Sequence, residues 1–177
     1  MPNVYISRQP LVNRQSKIIA TRLTLHFSEG ARTQDAAAAL SSLLECWPQG
    51  EKLVFINCGQ VPCDAALFDW AIPANATFEV SSEALLGVNS AELIALLQAR
   101  QPSLSLVFDE QAKAALSTGV QFRFIGFDAQ RYTPSQLKVL AVQTQPFGIG
   151  VALNVYDGQL FQSCLDAGVN AAASWFF

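Results

Sequence analysis

Charge is scarce in this chain. Asp, Glu, Lys and Arg together make up 14% of its 177 residues, against about 25% in an average soluble domain. The hydrophobic share is 51%, which excludes a disordered polymer, because so apolar a chain buries more surface than its ordering requires. Long hydrophobic runs are missing too. The apolar stretches are a few residues each, well short of the ~18–20 that span a bilayer. The opening MPNVYISRQP lacks a basic region followed by an apolar one, so no secretory signal and a cytoplasmic location are expected. Eleven basic residues stand against 14 acidic ones, for a net charge of −3. That balance argues against a nucleic-acid-binding surface.

Histidine is nearly absent as well. His26 is the only one, so a His-rich zinc site is excluded. The four cysteines, Cys46, Cys58, Cys63 and Cys164, include no CxxC pair and read as free thiols in a reducing compartment. There is no Walker A loop, no GxGxxG and no GxSxG.

What is present is alternation. Val4–Ser7 and Lys17–Phe27 read as strands joined by a few residues. A parallel crossover needs about a dozen or more, so the two are expected to pair antiparallel. Thereafter strands at 52–57, 77–81, 104–108, 122–127, 149–153 and 172–176 are separated by helix-sized segments. The helices are expected after Thr33 or Asp35 through 36–47, and at 64–70, 91–100, 110–116, 134–144 and 159–167. Repeated βα units imply a mostly parallel sheet, either closed as a barrel or open and doubly wound, and eight strands favour the barrel. The length lies below the ~200–250 residues usual for that fold, so shortened helices are expected. No linker, repeat or low-complexity tract divides residues 1–177, which form a single domain. The aromatic end Trp175-Phe176-Phe177 reads as a core strand closing the barrel, favoured over an exposed adhesive end because a terminal strand has to be tied down.

In such a barrel functional groups sit at the C-terminal ends of the strands. The sequence places Arg22, Thr24 and His26 on strand two, Asn57 on three and Glu79 on four. Asp109 and Glu110 follow strand five, Asp128 ends six, and Asn154 and Tyr156 end seven. A magnesium or calcium site needs several oxygen ligands converging on one point. Asn57 and Glu79 supply two, and Arg22 on the neighbouring strand repels a cation. The alternative is that Glu79 pairs with Arg22. No metal or other cofactor is expected.

The run Ser7-Arg8-Gln9-Pro10-Leu11, the strand leading to Arg22-Leu23-Thr24-Leu25-His26, Phe55-Ile56-Asn57, Thr77-Phe78-Glu79-Val80, and the closing Phe161–Gly168 and Ala173–Phe177 together resemble EAL domains. The likeness is to the type found N-terminal to HDOD domains. It runs in order along the whole chain, with no motif intact. It implies a modified (β/α)8 TIM-like barrel with an antiparallel first pair, and a family activity of cyclic di-GMP phosphodiesterase built on two divalent metals. Under that resemblance the Glu of the naming motif falls on Arg22 and the phosphate-gripping Arg on His26. The metal-binding Asn and Glu are kept as Asn57 and Glu79. The paired aspartates fall on Val107 and Phe108, with Asp109 one place on. The Lys of strand six falls on Gly126, while its Asp survives as Asp128. The Glu-Lys-Val-Glu segment becomes Leu153-Asn154-Val155-Tyr156.

Two-metal hydrolysis needs both ions, and these losses remove their ligands. The expectation is a catalytically inactive regulatory or protein-interaction module of bacterial signal transduction. Its partner is expected to be a protein, an HDOD domain in the same or another chain being the class the resemblance suggests. The rival is a receptor that holds cyclic di-GMP without cleaving it. Gln9, Arg22, Asn57, Glu79 and Asp128 are the candidate vestigial ligand-binding residues. Gln9 and Arg22 favour the rival, and the loss of the phosphate-gripping Arg at His26 counts against it.

Overall fold

The computed structural model describes residues 4–174. The expected placement of Trp175, Phe176 and Phe177 therefore lies outside the described residues. Eight strands close into a barrel in sequence order: β1 Val4–Asn13, β2 Ile18–Phe27, β3 Leu53–Asn57, β4 Ala76–Ser81, β5 Leu104–Val107, β6 Phe124–Asp128, β7 Ile149–Val155 and β8 Ala171–Ser174. Six helices accompany them: α1 Thr33–Ser42, α2 Ser82–Leu86, α3 Ser90–Arg100, α4 Ala112–Leu116, α5 Pro134–Thr144 and α6 Gly158–Asp166. The first pair is antiparallel, as expected. β1 also runs antiparallel to β8, and every other neighbouring pair is parallel.

Strand β1 corrects the sequence reading, which ended it at Ser7. It continues to Asn13 because Leu11 and Val12 are needed in the wall, where they pair with Ala173 and Ala172. The hairpin then turns over four residues. The Asn13 side-chain oxygen accepts from the backbone N–H of Gln15 (3.0 Å) and Lys17 (2.9 Å), and Ser16 takes a positive φ of 56°. An Asx turn of this kind reverses the chain without glycine.

Helix shortening is also as expected. The segment 64–70 makes only a 3₁₀ turn, Ala65–Phe68, capped by Asp64, whose carboxylate accepts from the Ala66 N–H. Helix α1 begins at Thr33 with Arg32 as its cap residue. Asp35 reaches back to accept from the Arg32 N–H at 2.8 Å. Helix α2 was not anticipated. Its segment is one turn long, with Ser81 capping the Ala84 N–H, and so is too short to show a period of 3.6.

Two apolar layers follow from the alternation of strand side chains. Leu23, Leu25, Val54, Ile56, Phe78, Val80, Leu104, Leu106, Ile125 and Phe127 face outward and pack under the helices with Leu40, Leu93 and Leu97. Residues of opposite parity, Leu11, Ala20, Phe55, Phe124, Val151, Leu153 and Ala173, form a separate cluster that fills the lumen. Phe55 and Phe124 lie across it with ring centroids 4.9 Å apart.

Candidate functional site

Above the apolar plug, the lumen turns polar. Gln9, Arg22, Asn57 and Glu79 share the parity of Leu11, Ala20, Phe55 and Thr77, so all four point inward. Register sets Gln9 beside Arg22 and Arg22 beside Phe55, which pairs with Thr77; Asn57 and Glu79 stand two residues further toward the strand ends, within reach of the long Arg22 side chain. The Arg22 guanidinium grips Glu79 through two bonds, Nε to Oε1 at 2.6 Å and Nη2 to Oε2 at 2.8 Å. Its Nη1 donates to Gln9 Oε1 at 3.2 Å. The Asn57 amide donates to Glu79 Oε2 at 2.7 Å, and its own oxygen accepts from the Gly59 N–H at 2.7 Å. The Glu79 side chain is 1% exposed and that of Arg22 8%.

A forked, bidentate arginine–carboxylate pair is the strongest geometry such an ion pair adopts. Burial alone pushes the Arg22 pKa down. Glu79, by charge and hydrogen bonding, and the nearby charge of Asp128 more than offset this and hold it above its ordinary value. Arg22 is therefore a permanent cation inside the barrel.

Four of the five candidate residues thus meet in one network. Asp128 stands apart. Its carboxylate accepts from the Gln130 N–H at 3.0 Å, forming the turn after β6, and it reaches Arg22 only through its field. Asp109 is also spoken for: Oδ1 accepts from Ser82 Oγ at 2.7 Å and from the Gln111 N–H at 2.9 Å, tying α2 to the loop after β5. His26 bonds Ser7 Oγ at 2.9 Å and stacks on Tyr5 with centroids 4.8 Å apart, so it braces the hairpin.

Gly126 lies in the lumen beside Ser105 and Leu153. A Cβ built there would meet Leu153 Cδ1 at 2.9 Å. The Leu153 side chain therefore occupies the space that a longer residue on β6 would need. No signal in the sequence links the two positions, because only barrel closure brings β6 and β7 into this register. A groove of about 840 Å³ opens at the strand ends, lined by Asn57, Glu79, Ser81, Glu83 and Val107 among others.

A divalent metal does not fit this donor set. Both Glu79 oxygens and the Asn57 amide are engaged with Arg22 and each other, and a cation already sits between the strands. Among the described residues no group of three His, Cys, Asp or Glu side chains converges as a metal site.

Solved structures share this architecture. BlrP1 of Klebsiella pneumoniae, in a manganese and cy-diGMP complex, superposes with a TM-score of 0.76 at 12% identity, covering 100% of this chain and 58% of that one. The barrel has the EAL-domain fold. An EAL domain protein of Listeria monocytogenes matches with a TM-score of 0.68 at 14% identity over 98% of this chain and 87% of that one. The FimX EAL domain of Pseudomonas aeruginosa, bound to c-di-GMP, matches with a TM-score of 0.66 at 13% identity over 98% and 88%. No sequence-family model matches the chain, and no curated protein matches it either. The EAL likeness therefore rests on backbone geometry, and what this barrel does has to be argued from its own side chains.

Proposed function

We propose that this chain is a non-hydrolysing EAL-fold module of cyclic di-GMP signalling that works by binding a protein partner in the cytoplasm. An HDOD domain, on the same or another chain, is the partner class that the sequence resemblance suggests. Among the described residues no helix is long and apolar enough to cross a membrane, in keeping with that reading. The observation that carries the proposal is the Arg22–Glu79 pair. Two-metal hydrolysis stabilises the attacking and leaving oxygens with two bound cations. Here the carboxylate that would hold one is closed by a guanidinium at 2.6 and 2.8 Å. Gly126 carries no side chain where the resemblance places the family's lysine, and a Cβ there would meet Leu153 Cδ1 at 2.9 Å.

The test is product formation from cyclic di-GMP with Mg²⁺ and Mn²⁺, beside an intact EAL enzyme. The expected result is no linear dinucleotide above buffer. Metal-dependent product from the wild-type chain overturns the proposal.

A second reading, a receptor that holds cyclic di-GMP uncleaved, is favoured by the structural neighbours captured with that nucleotide. Against it, Arg22 has its Nε, Nη1 and Nη2 engaged by Glu79 and Gln9, leaving a reduced hand for a phosphate. Calorimetric titration with the nucleotide separates the two: saturable heat supports the receptor, and its absence supports the protein-binding module.

A further inference from the structure

The groove at the strand ends combines apolar walls with charge of a single sign. Val61, Leu67, Leu93 and Val107 line it, and Val88 lines it while standing fully exposed. Its charged lining residues are Asp64, Glu79 and Glu83. The Arg22 guanidinium neutralises Glu79. Asp64 is held by neutral donors, the Thr33 hydroxyl at 2.8 Å and the Ala66 N–H at 2.9 Å, and Glu83 is exposed. The rim around the groove shares this sign. Segments 28–32, 58–64, 82–89, 108–111, 129–133 and 156–157 lead off the strand ends. They carry Glu29, Asp64, Glu83, Asp109, Glu110 and Asp157, and as cations only Arg32 and Arg131. Each of those two already faces a carboxylate, Arg131 that of Glu110 at 3.3 Å and Arg32 that of Asp35 at 3.9 Å.

This combination selects its occupant. An anion would bring like charge against Asp64 and Glu83, and like-charge juxtaposition across an interface is costly. A wholly apolar segment would desolvate both carboxylates without pairing them. Lysine and arginine side chains meet both demands, with an aliphatic stem for the apolar walls and a cationic head for the carboxylates. The lining amides Gln60 and Asn89 both donate and accept, which suits the alternating N–H and C=O groups of a peptide backbone. We propose that this groove docks a Lys/Arg-bearing peptide segment of the partner protein. Its apolar side chains lie on Val61, Leu93 and Val88, and its cations face Asp64 and Glu83. The inference rests on the reading of this chain as a protein-binding module and adds the chemistry of what it binds.

The test is fluorescence anisotropy of labelled dodecapeptides titrated with the full chain. One peptide is built of Lys, Arg and Leu. A second has Glu for every Lys and Arg, and a third has Ser for every Leu. The first is expected to bind saturably, with a dissociation constant that rises at least about fivefold between 50 and 500 mM salt as the charges are screened. The second should not bind, and the third should bind at least about fivefold more weakly, because it has nothing to place on the apolar walls. Glu83→Lys should weaken the first peptide at least about fivefold, with Glu83→Gln as the milder variant if the lysine disturbs α2, and Val88→Ser should weaken it about threefold or more. Glu51→Lys makes the same change in net charge in the loop before β3, at the opposite rim of the barrel. It should leave the affinity within about twofold, since it lies beyond the screening length. No saturable binding of the first peptide, equal binding of the acidic peptide, or equal weakening by the substitutions at 83 and 51 overturns the proposal. Failure here leaves the absence of hydrolysis standing, whereas metal-dependent turnover of cyclic di-GMP removes the reading on which the proposal rests, so the two failures are distinguishable.

Discussion

Arg22 carries a full positive charge into a barrel lumen, and Gln9, Glu79 and the field of Asp128 hold it there. Removing one member of a buried pair strands the other, at a cost of about 3–5 kcal/mol. Arg22→Met is therefore expected to lower the urea midpoint by that equivalent. The double variant Arg22→Met/Glu79→Gln should recover part of the loss, because no charge is left unpaired. A single variant as stable as wild type would show that the pair contributes nothing. The cysteines give a second residue-scale test. Burial, with neighbouring negative charge, pushes the Cys58 and Cys63 thiols up to about 12 and Cys164 up to about 11. The thiolate is the reactive form, so at pH 8 Cys58 and Cys63 should alkylate on the order of 10³-fold, and Cys164 on the order of 10²-fold, more slowly than the exposed Cys46. A raised thiol pKa means that the folded state holds its proton more tightly. Stability from these groups is complete below the ordinary thiol value of about 8.5 and is lost as pH climbs toward about 12. A denaturation series from pH 8 to 11 should show that decline, and Cys→Ala at 58 and 63 should flatten it.

At the scale of elements, the helices are fixed mainly by their starts. Helix α5 opens on Thr133, whose side chain accepts from the Gln136 N–H at 3.3 Å, while the Gln136 side-chain oxygen accepts in return from the Thr133 N–H at 2.9 Å. Pro134 occupies the first turn, where its missing N–H costs nothing. Thr133→Ala is expected to cost about 1 kcal/mol, read as a shift in the urea midpoint, and Thr133→Ser should cost less. Helix α6 is tied at its far end by Arg14, which donates to the Leu165 carbonyl. Gly168, at a φ of 106°, then ends it in the left-handed conformation that glycine adopts freely. The hairpin turn is thus connected across the barrel to the last helix, a contact between residues 151 positions apart.

For the whole molecule, the strand-end site behaves as a unit. Gln9 comes from β1, Arg22 from β2, Asn57 from β3 and Glu79 from β4, so no single substitution rebuilds a metal centre. Arg22→Glu is expected to yield no hydrolysis of cyclic di-GMP under the same metal conditions, because residues acting together contribute non-additively. It also places a second carboxylate against Glu79, so a loss of stability should accompany it. Metal-dependent turnover by this variant would mean that Asn57, Glu79 and Asp128 suffice with one further carboxylate.

The alternation of short apolar strands with helix-sized segments, and the few residues between β1 and β2, determined eight strands in βα order with an antiparallel first pair and favoured a barrel over an open sheet; closure itself is seen in the tertiary structure. Those features are local: strand parity and connection length are written in consecutive residues. The pairing of Glu79 with Arg22 was legible for the same reason, since both sit at inward parity near strand ends. Tertiary structure decided the rest. Strand β1 reached Asn13 because its second half closes against β8, a partner at the opposite end of the chain. Asp128 ended in a turn rather than in the network, although its parity is correct, its carboxylate accepting from the Gln130 N–H of the loop after β6. Leu153 filled the place beside Gly126 only once β6 and β7 were in register. Each of these depends on which distant groups compete for one volume, and a linear pattern does not encode that competition.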